Sequence, residues 1–221
     1  MVTRRMGGRE TPFFFENSVN TSTNPEELIV AASKEGGDRL GRLLAIYRNY
    51  LYLLARVEIG GRLQAKVDAS DLVQETMLEA HKNFANFRGA SEAEFTAWLR
   101  QIMAAILCGL LRKYFGTQKR DIRLERTLRE NFDNSSLLLG KGFIDLHSSP
   151  SQQATRREQA VLLADALENM PKDYREVLVF RHMEGLTFPE IARRMERTQD
   201  SVEKLWVRGL ARLRKEMEAF Q

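Results

Sequence analysis

A single cysteine, Cys108, stands in 221 residues, so the chain can form no internal disulfide. That points to a reducing compartment, the cytoplasm. Cys108 lies in an apolar helical run, where a thiol behaves as a small buried hydrophobe. Histidine is nearly as scarce. His81, His147 and His182 are too far apart to pair at ligand spacing, which argues against a zinc site or any other metal centre. No run of about 18 apolar residues occurs, so no membrane insertion is expected. Glu16 ends the run Phe13-Phe14-Phe15 well short of signal-peptide length, and residues 1–23 read as a flexible tail. The chain has no glycine-rich phosphate loop, no G-x-S-x-G elbow and no metal motif. Its acids scatter along helix faces. No enzyme, no catalytic residue and no cofactor are expected.

What is present is charged and helical. A hydrophobic share of 43% beside 29% charged residues is that of a folded rather than a disordered chain. The formal charge of +4 and pI of about 9.3 lean towards an anionic partner, and nucleic acid would serve. Proline and glycine are sparse in the middle, and no segment alternates as a strand does.

Asn24-Pro25-Glu26-Glu27 opens a helix with an Asn cap, a first-turn proline and acids on the positive end of the dipole; it ends at Gly36-Gly37. A second helix runs from about Asp38 to Glu58, with Leu40, Leu43, Leu44, Tyr47, Leu51 and Leu54 on one face, and stops at Gly60-Gly61. A third starts at Asp68 or Ser70 and reaches about Phe84. The fourth follows Phe87-Arg88-Gly89, with Ser91 and Glu94 as a capping box, and closes in Arg112-Lys113-Tyr114. These make a domain over residues 24–115. From 116 to 149 the pattern fails, and the segment reads as a linker with room for a short helix. Helices from Ser149-Pro150 to about Asn169 and from Lys172 to Met183 open a second domain, residues 150–221. The fold class is all-α: two small helical domains joined by a flexible linker.

The second domain ends in LTFPEIARRMERTQDSVEKLWVRGLARL, Leu186 to Leu213. Thr187 and Glu190 form a T-x-x-E capping box with Pro189 in the first turn. Thr198 caps a second helix, in which Val202, Leu205, Trp206, Gly209, Leu210 and Leu213 keep helical spacing. Small Ala192 allows close approach and Val202 packs across the corner. This is the plan of a helix-turn-helix, whose second helix enters the major groove.

In the third helix, Asp71, Gln74 and Glu75 share one face, one turn apart. That is either an ordinary solvated face or a docking surface. Around the next loop, aromatic and basic groups alternate: Phe87 and Arg88, Trp98 and Arg100, then Arg112, Lys113 and Tyr114. Phe95 and Trp98 fit a core, yet rings beside cations also suit single-stranded nucleic acid, with bases stacked and phosphates tracked.

DLVQETMLEAHKNFANFRG, then FTAWLRQI, a basic linker and the helix-turn-helix together resemble a bacterial RNA polymerase sigma factor. The resemblance is to the sigma-70 family, in its small two-domain extracytoplasmic-function class, and covers about Pro25 to Leu213. It implies that Asp71, Gln74 and Glu75 dock on the clamp helices of the polymerase largest subunit. It implies that Asn86, Phe87, Arg88, Arg100, Arg112 and Lys113 meet the −10 element, where a base is taken out of the stack. By the same resemblance Arg197, Thr198, Gln199, Ser201, Lys204 and Arg208 face the −35 element, with the domain held on the polymerase flap and the linker threaded between. Core polymerase and promoter DNA are the partners implied, and an anti-sigma factor is a further one the family allows. A stand-alone helix-turn-helix regulator and a helical adaptor for an acidic protein are the alternatives. Four features depart from the pattern. Glu196 holds the turn position where glycine is usual, and Ala105 stands where many relatives have Asn. The loop from Gly89 to Phe95 is longer than the common form, and the linker carries Leu137-Leu138-Leu139.

Overall fold

The computed structural model describes residues 24–35, 37–63, 66–115, 122–142 and 155–219; the tail over residues 1–23 and the helix start at Ser149-Pro150 lie outside them. Every regular element among these residues is helical. In order they are α1 (Pro25–Glu35), α2 (Gly37–Ile46), α3 (Arg48–Leu63), α4 (Ala69–Asn83), a short 3-10 turn (Phe84–Asn86), α5 (Glu92–Phe115), α6 (Ile122–Gly142), α7 (Thr155–Glu168), α8 (Lys172–His182), α9 (Phe188–Arg194) and α10 (Gln199–Glu218).

Local chemistry sets most of the starts. Asn24 Oδ1 accepts from the Glu26 N–H at 3.0 Å, opening α1. Asp68, not Ser70, caps α4, its carboxylate accepting from the N–H groups of Ser70 and Asp71. Glu94 reaches back to the N–H groups of Ala90 and Ser91 and to the Ser91 hydroxyl, which completes the expected capping box of α5. Those N–H groups, Ala90 first, hold the Glu94 carboxyl below its usual range.

One helix expected as continuous from Asp38 to Glu58 is two. Tyr47 sits between α2 and α3, its N–H turned to the Leu44 carbonyl three residues back. Its ring is fully buried edge-on to Phe95, and its hydroxyl donates to Glu92 at 3.1 Å. A buried aromatic reaching the start of α5 outweighs one continued helical turn. Gly60, at φ 50°, then bends α3 where the glycine pair stands.

Leu43, Leu51 and Leu54 from α2 and α3, Leu72 from α4, and Phe95, Leu99, Met103 and Leu107 from α5 are buried together. By length and composition α5 is apolar enough to cross a membrane, but that apolar face is spent in the core against α4 and α6.

Residues 122–142, expected within a flexible linker, form a 21-residue helix. Leu128, Phe132 and Leu139 recur on one face of α6 and are buried against α3, α5 and α7. Their spacing is helical, and a docked helix hides the apolar side that a free linker would expose to water. Leu137 and Leu138 stay outside, 52% and 44% exposed, so the leucine triplet divides between core and surface.

The C-terminal half packs α10 on α7, α8 and α9. It touches the N-terminal half directly where α3 meets α7 and α8: Asn49 Nδ2 donates to Asp165 of α7 at 2.8 Å, and Arg56 pairs with Glu176 of α8 at 3.7 Å. The Arg56 guanidinium also lies over the Phe180 ring.

Candidate nucleic-acid interface

The polar face of α4 is open. Asp71, Gln74 and Glu75 are exposed, while Leu72, Val73 and Thr76 on the other side are buried. Among the described residues the carboxylates of Asp71 and Glu75 have no cationic partner. Many acids elsewhere do: Asp38 with Arg42, Glu125 with Arg129, Glu130 with Arg126, Glu216 with Arg212. Leu78, one turn beyond Glu75, extends this face and is 57% exposed.

Below that face lies an aromatic cluster. Phe87 lies tilted beside Trp98 at 5.1 Å between ring centroids, meets Phe95 edge-on at 5.4 Å and stacks on Phe84 at 6.0 Å. Phe87 is therefore half-buried and braces the loop rather than standing as a free stacking surface. Gly89 makes this possible. A Cβ there would fall 2.5 Å from the Phe87 ring and 2.8 Å from Glu94 Cβ, so no side chain fits. Asn86 and Arg88 are exposed at the rim, and Arg88 also donates to the Ala85 carbonyl.

Beside the cluster, a cleft of about 430 Å³ runs between α4 and α5, lined by Glu79, Asn83, Trp98, Ile102, Ala105 and Ile106. Ala105, the departure noted in the sequence, leaves part of this space open. Polar groups come from the facing helix instead: Asn83 donates its amide to the Glu79 carbonyl and carboxylate, and Lys82 pairs with the same carboxylate at 3.7 Å.

Arg100 is placed elsewhere. It is 7% exposed, its Nε donates to Asp133 of α6 at 2.6 Å and its NH1 to the Tyr50 hydroxyl at 2.8 Å. Arg100 faces inward because it lies on the α5 side that α6 covers, which helical spacing alone could not reveal. At the far end of α5, Lys113 is exposed and Arg112 half-buried.

The helix-turn-helix is built as its caps require. Glu190 accepts from the Thr187 N–H at 2.7 Å and from its hydroxyl at 2.6 Å, contacts that hold the Glu190 carboxyl below its usual range. Thr198 accepts from the Ser201 N–H. In the turn, Arg197 N–H bonds to the Ala192 carbonyl and Glu196 N–H to that of Arg193, the two-bond helix ending that places its middle residue left-handed. Glu196 takes that place at φ 53°, so the strain is accepted rather than avoided.

Behind the turn, Trp206 Nε1 donates to His182 Nε2 at 3.0 Å and Phe188 meets the indole edge-on, which locks α10 to α8 and α9. Accepting this bond requires a neutral imidazole. Burial, with Arg181 nearby, pushes the His182 pKa down.

The outer face of α10 differs from that of α4, because its charges answer one another. Lys204 pairs with Asp200 at 2.7 Å and Gln199 donates to Glu203 at 2.7 Å. Arg197 pairs with Asp173 at 2.5 Å. Thr198 is spent as a cap, and Ser201 is half-buried beside it. Arg208 is exposed with no acidic partner among the described residues. Arg193 on α9 is exposed too, one turn from the Glu190 carboxylate that its charge helps to stabilise; the sequence reading passed over it because it lies before the turn. Val207, 58% exposed between Lys204 and Arg208, was passed over as well; an apolar residue off the core stripe was its signal.

The family model Sigma-70 region 2 matches residues 41–116, and the model Sigma-70, region 4 matches residues 160–213. The ECF RNA polymerase sigma-E factor of Haemophilus influenzae is 27% identical over 135 residues, 61% of this chain and 67% of that one. The ECF RNA polymerase sigma factor BldN of Streptomyces coelicolor is 28% identical over 190 residues, 85% of this chain and 64% of that one. A solved complex of RsbN with BldN is 20% identical and covers 85% of this chain and 97% of that chain, at a TM-score of 0.28.

Proposed function

We propose that this chain, which belongs to the sigma-70 family of RNA polymerase sigma factors and to its extracytoplasmic-function class, binds core RNA polymerase and directs it to promoters. Residues 24–115 carry the polymerase-docking and −10 surfaces, and residues 150–221 carry the −35 reader. The chain acts in the cytoplasm and does no chemistry of its own.

The open acidic face of α4 carries this reading. Desolvating Asp71 and Glu75 requires a basic partner, and nothing in the described chain supplies one. The clamp of the polymerase largest subunit is the partner the family implies. The −10 surface then comprises Asn86, Arg88, Lys113 and the cleft between α4 and α5. That cleft is wide enough to receive an unstacked base, with Trp98 as a wall. At −35, Arg208 and Lys204 suit phosphates or guanine edges, and Val207 suits a thymine methyl.

A stand-alone helix-turn-helix regulator is the lesser reading, because it has no use for a region 2 over residues 41–116. The test is co-elution of the full chain with core polymerase, followed by initiation on fragments selected from its own genome. Tight, specific binding to duplex DNA by the chain alone, with no polymerase association, would overturn the proposal.

A further inference from the structure

We infer that the pocket between α3, the start of α4 and α8 binds a small phosphorylated ligand of nucleotide size, its phosphate held by Arg56, Lys172 and Arg175. The pocket lies apart from the α4–α5 cleft and the outer face of α10, and it needs neither polymerase nor promoter.

Its lining supplies the charge. The pocket holds about 390 Å³, within the ~300–1,000 Å³ usual for small-molecule sites. Arg56 reaches it from α3, and Lys172 and Arg175 from the first turn of α8, while Tyr52, Ile59 and Val67 give it apolar surface. Pro171 provides α8 with no side-chain cap, so the positive end of that helix adds to the cations.

These cations are under-used. Arg56 and Lys172 share one carboxylate, that of Glu176, at 3.7 and 3.9 Å, too far for a hydrogen bond. The Arg56 side chain is only 16% exposed, yet its guanidinium donors find no acceptor among the described residues. Arg175 gives its NH1 to Glu168, but its Nε is sealed from solvent with no partner. Buried guanidinium groups are normally satisfied through their planar fork. A phosphate, with several oxygens to offer, fits such donors; Glu176 at its present distance does not.

Asp68 and Glu176 line the pocket too, so three cations face two acids. Asp68 is already engaged as the cap of α4, accepting from the N–H groups of Ser70 and Asp71. Glu176 is the competitor. A bound phosphate takes Arg56 and Lys172 from it, and direct hydrogen bonds replace two long ion pairs. The apolar surface then calls for a body on the phosphate, and a nucleoside supplies one of the right size.

Titration of the full chain with adenosine monophosphate, guanosine monophosphate, inorganic phosphate and adenosine tests this. A nucleotide should bind once per chain with a dissociation constant below about 1 mM, and inorganic phosphate and adenosine about tenfold more weakly or worse. Lys172→Ala, at an exposed position, should weaken nucleotide binding severalfold at an unchanged melting temperature. Arg56→Lys, which keeps the charge and loses the fork, should weaken it as well. Glu176→Gln should tighten it severalfold, because the competitor is gone, and a merely structural role would not do that. No saturable binding of either nucleotide, or an affinity unmoved by all three variants, would overturn the pocket as a ligand site. Inorganic phosphate bound as tightly as the nucleotides would overturn the nucleotide-sized ligand. Should Arg56→Lys or Glu176→Gln fail to fold, Lys172→Ala decides: undiminished nucleotide affinity in that variant refutes the site.

Discussion

The outer faces of α4 and α10 are both polar helix surfaces, yet they hold their charge in opposite ways. On α4, Asp71 and Glu75 are of one sign and have no cationic partner among the described residues. On α10, Lys204 and Gln199 are tied to Asp200 and Glu203 one turn away, and Arg197 is tied to Asp173. A fixed protein partner rewards charge kept ready, because the same basic surface is met every time. DNA presents phosphates everywhere, so a reader with free cations would bind any sequence. Pairing its cations with acids lowers that background, and only a site offering better contacts repays the exchange. The −35 reader should therefore be weak on its own and specific when polymerase holds it in place.

The largest expected effect breaks the α4 side of this contrast. Asp71→Lys with Glu75→Lys should weaken core-polymerase binding by about 3 kcal/mol or more, over a hundredfold. The melting temperature should stay put, since exposed unpaired charges contribute little to folding. Normal polymerase affinity in a competition assay would remove α4 from the docking surface.

Next comes the α10 side. Arg208→Ala should cost −35 recognition about 1–3 kcal/mol, and Lys204→Ala less, because Asp200 already occupies that ammonium. Asp200→Ala should do the reverse, raising affinity for unrelated duplex and steepening its salt dependence by about one charge. Equal losses for Lys204→Ala and Arg208→Ala, with no gain from Asp200→Ala, would end the idea of a self-masked reader.

A smaller effect sits in the turn. Glu196→Gly should stabilise the C-terminal half by about 1 kcal/mol by removing the left-handed penalty, read as a shift in the denaturant midpoint. Loss of stability instead would mean that the Glu196 side chain makes up for its own strain.

The smallest is a pH effect, centred on His182 in the C-terminal half. The folded pKa of His182 lies below its unfolded value near 6.5. Its contribution is therefore complete above pH 6.5 and is lost as the pH falls towards the folded value. Glu58 and Asp165, at the seam between α3, α6 and α7, are shifted upward by burial and act in the opposite sense. The folded state there gains stability as the pH falls into the window just above the ordinary carboxylate range. Trp206 fluorescence in a Trp98→Phe background should follow the first effect, and His182→Gln should flatten it.

Much of the fold was legible because its signals are local. Asn24, Asp68, Ser91, Thr187 and Thr198 each satisfy a helix end within three residues, so the chain declares them wherever it folds. The helix-turn-helix was legible for the same reason, including a turn at Glu196, although α9 stops at Arg194 rather than near Arg197 where the apolar spacing ends it. The break at Tyr47 was not legible. The leucines on either side keep one stripe, and only the distant Glu92 and Phe95 show why the helix turns there. Nor was Val207 read as part of the DNA face, since a lone apolar residue on a polar surface usually signifies nothing.

By itself the sequence determined that this chain is helical, where most helices start, and that two family regions stand in order with a basic segment between them. Caps, periodicity and motif spacing act over a few residues and need no partner. Only the tertiary structure decided that the segment between them is a docked helix and that Arg100 is enclosed. It alone decided that Asp71 and Glu75 of α4 are left open among the described residues while Asp200 and Glu203 of α10 are spent on their neighbours. Those outcomes depend on which surfaces meet across long stretches of chain, and burial, unlike a cap, is a property of the pair.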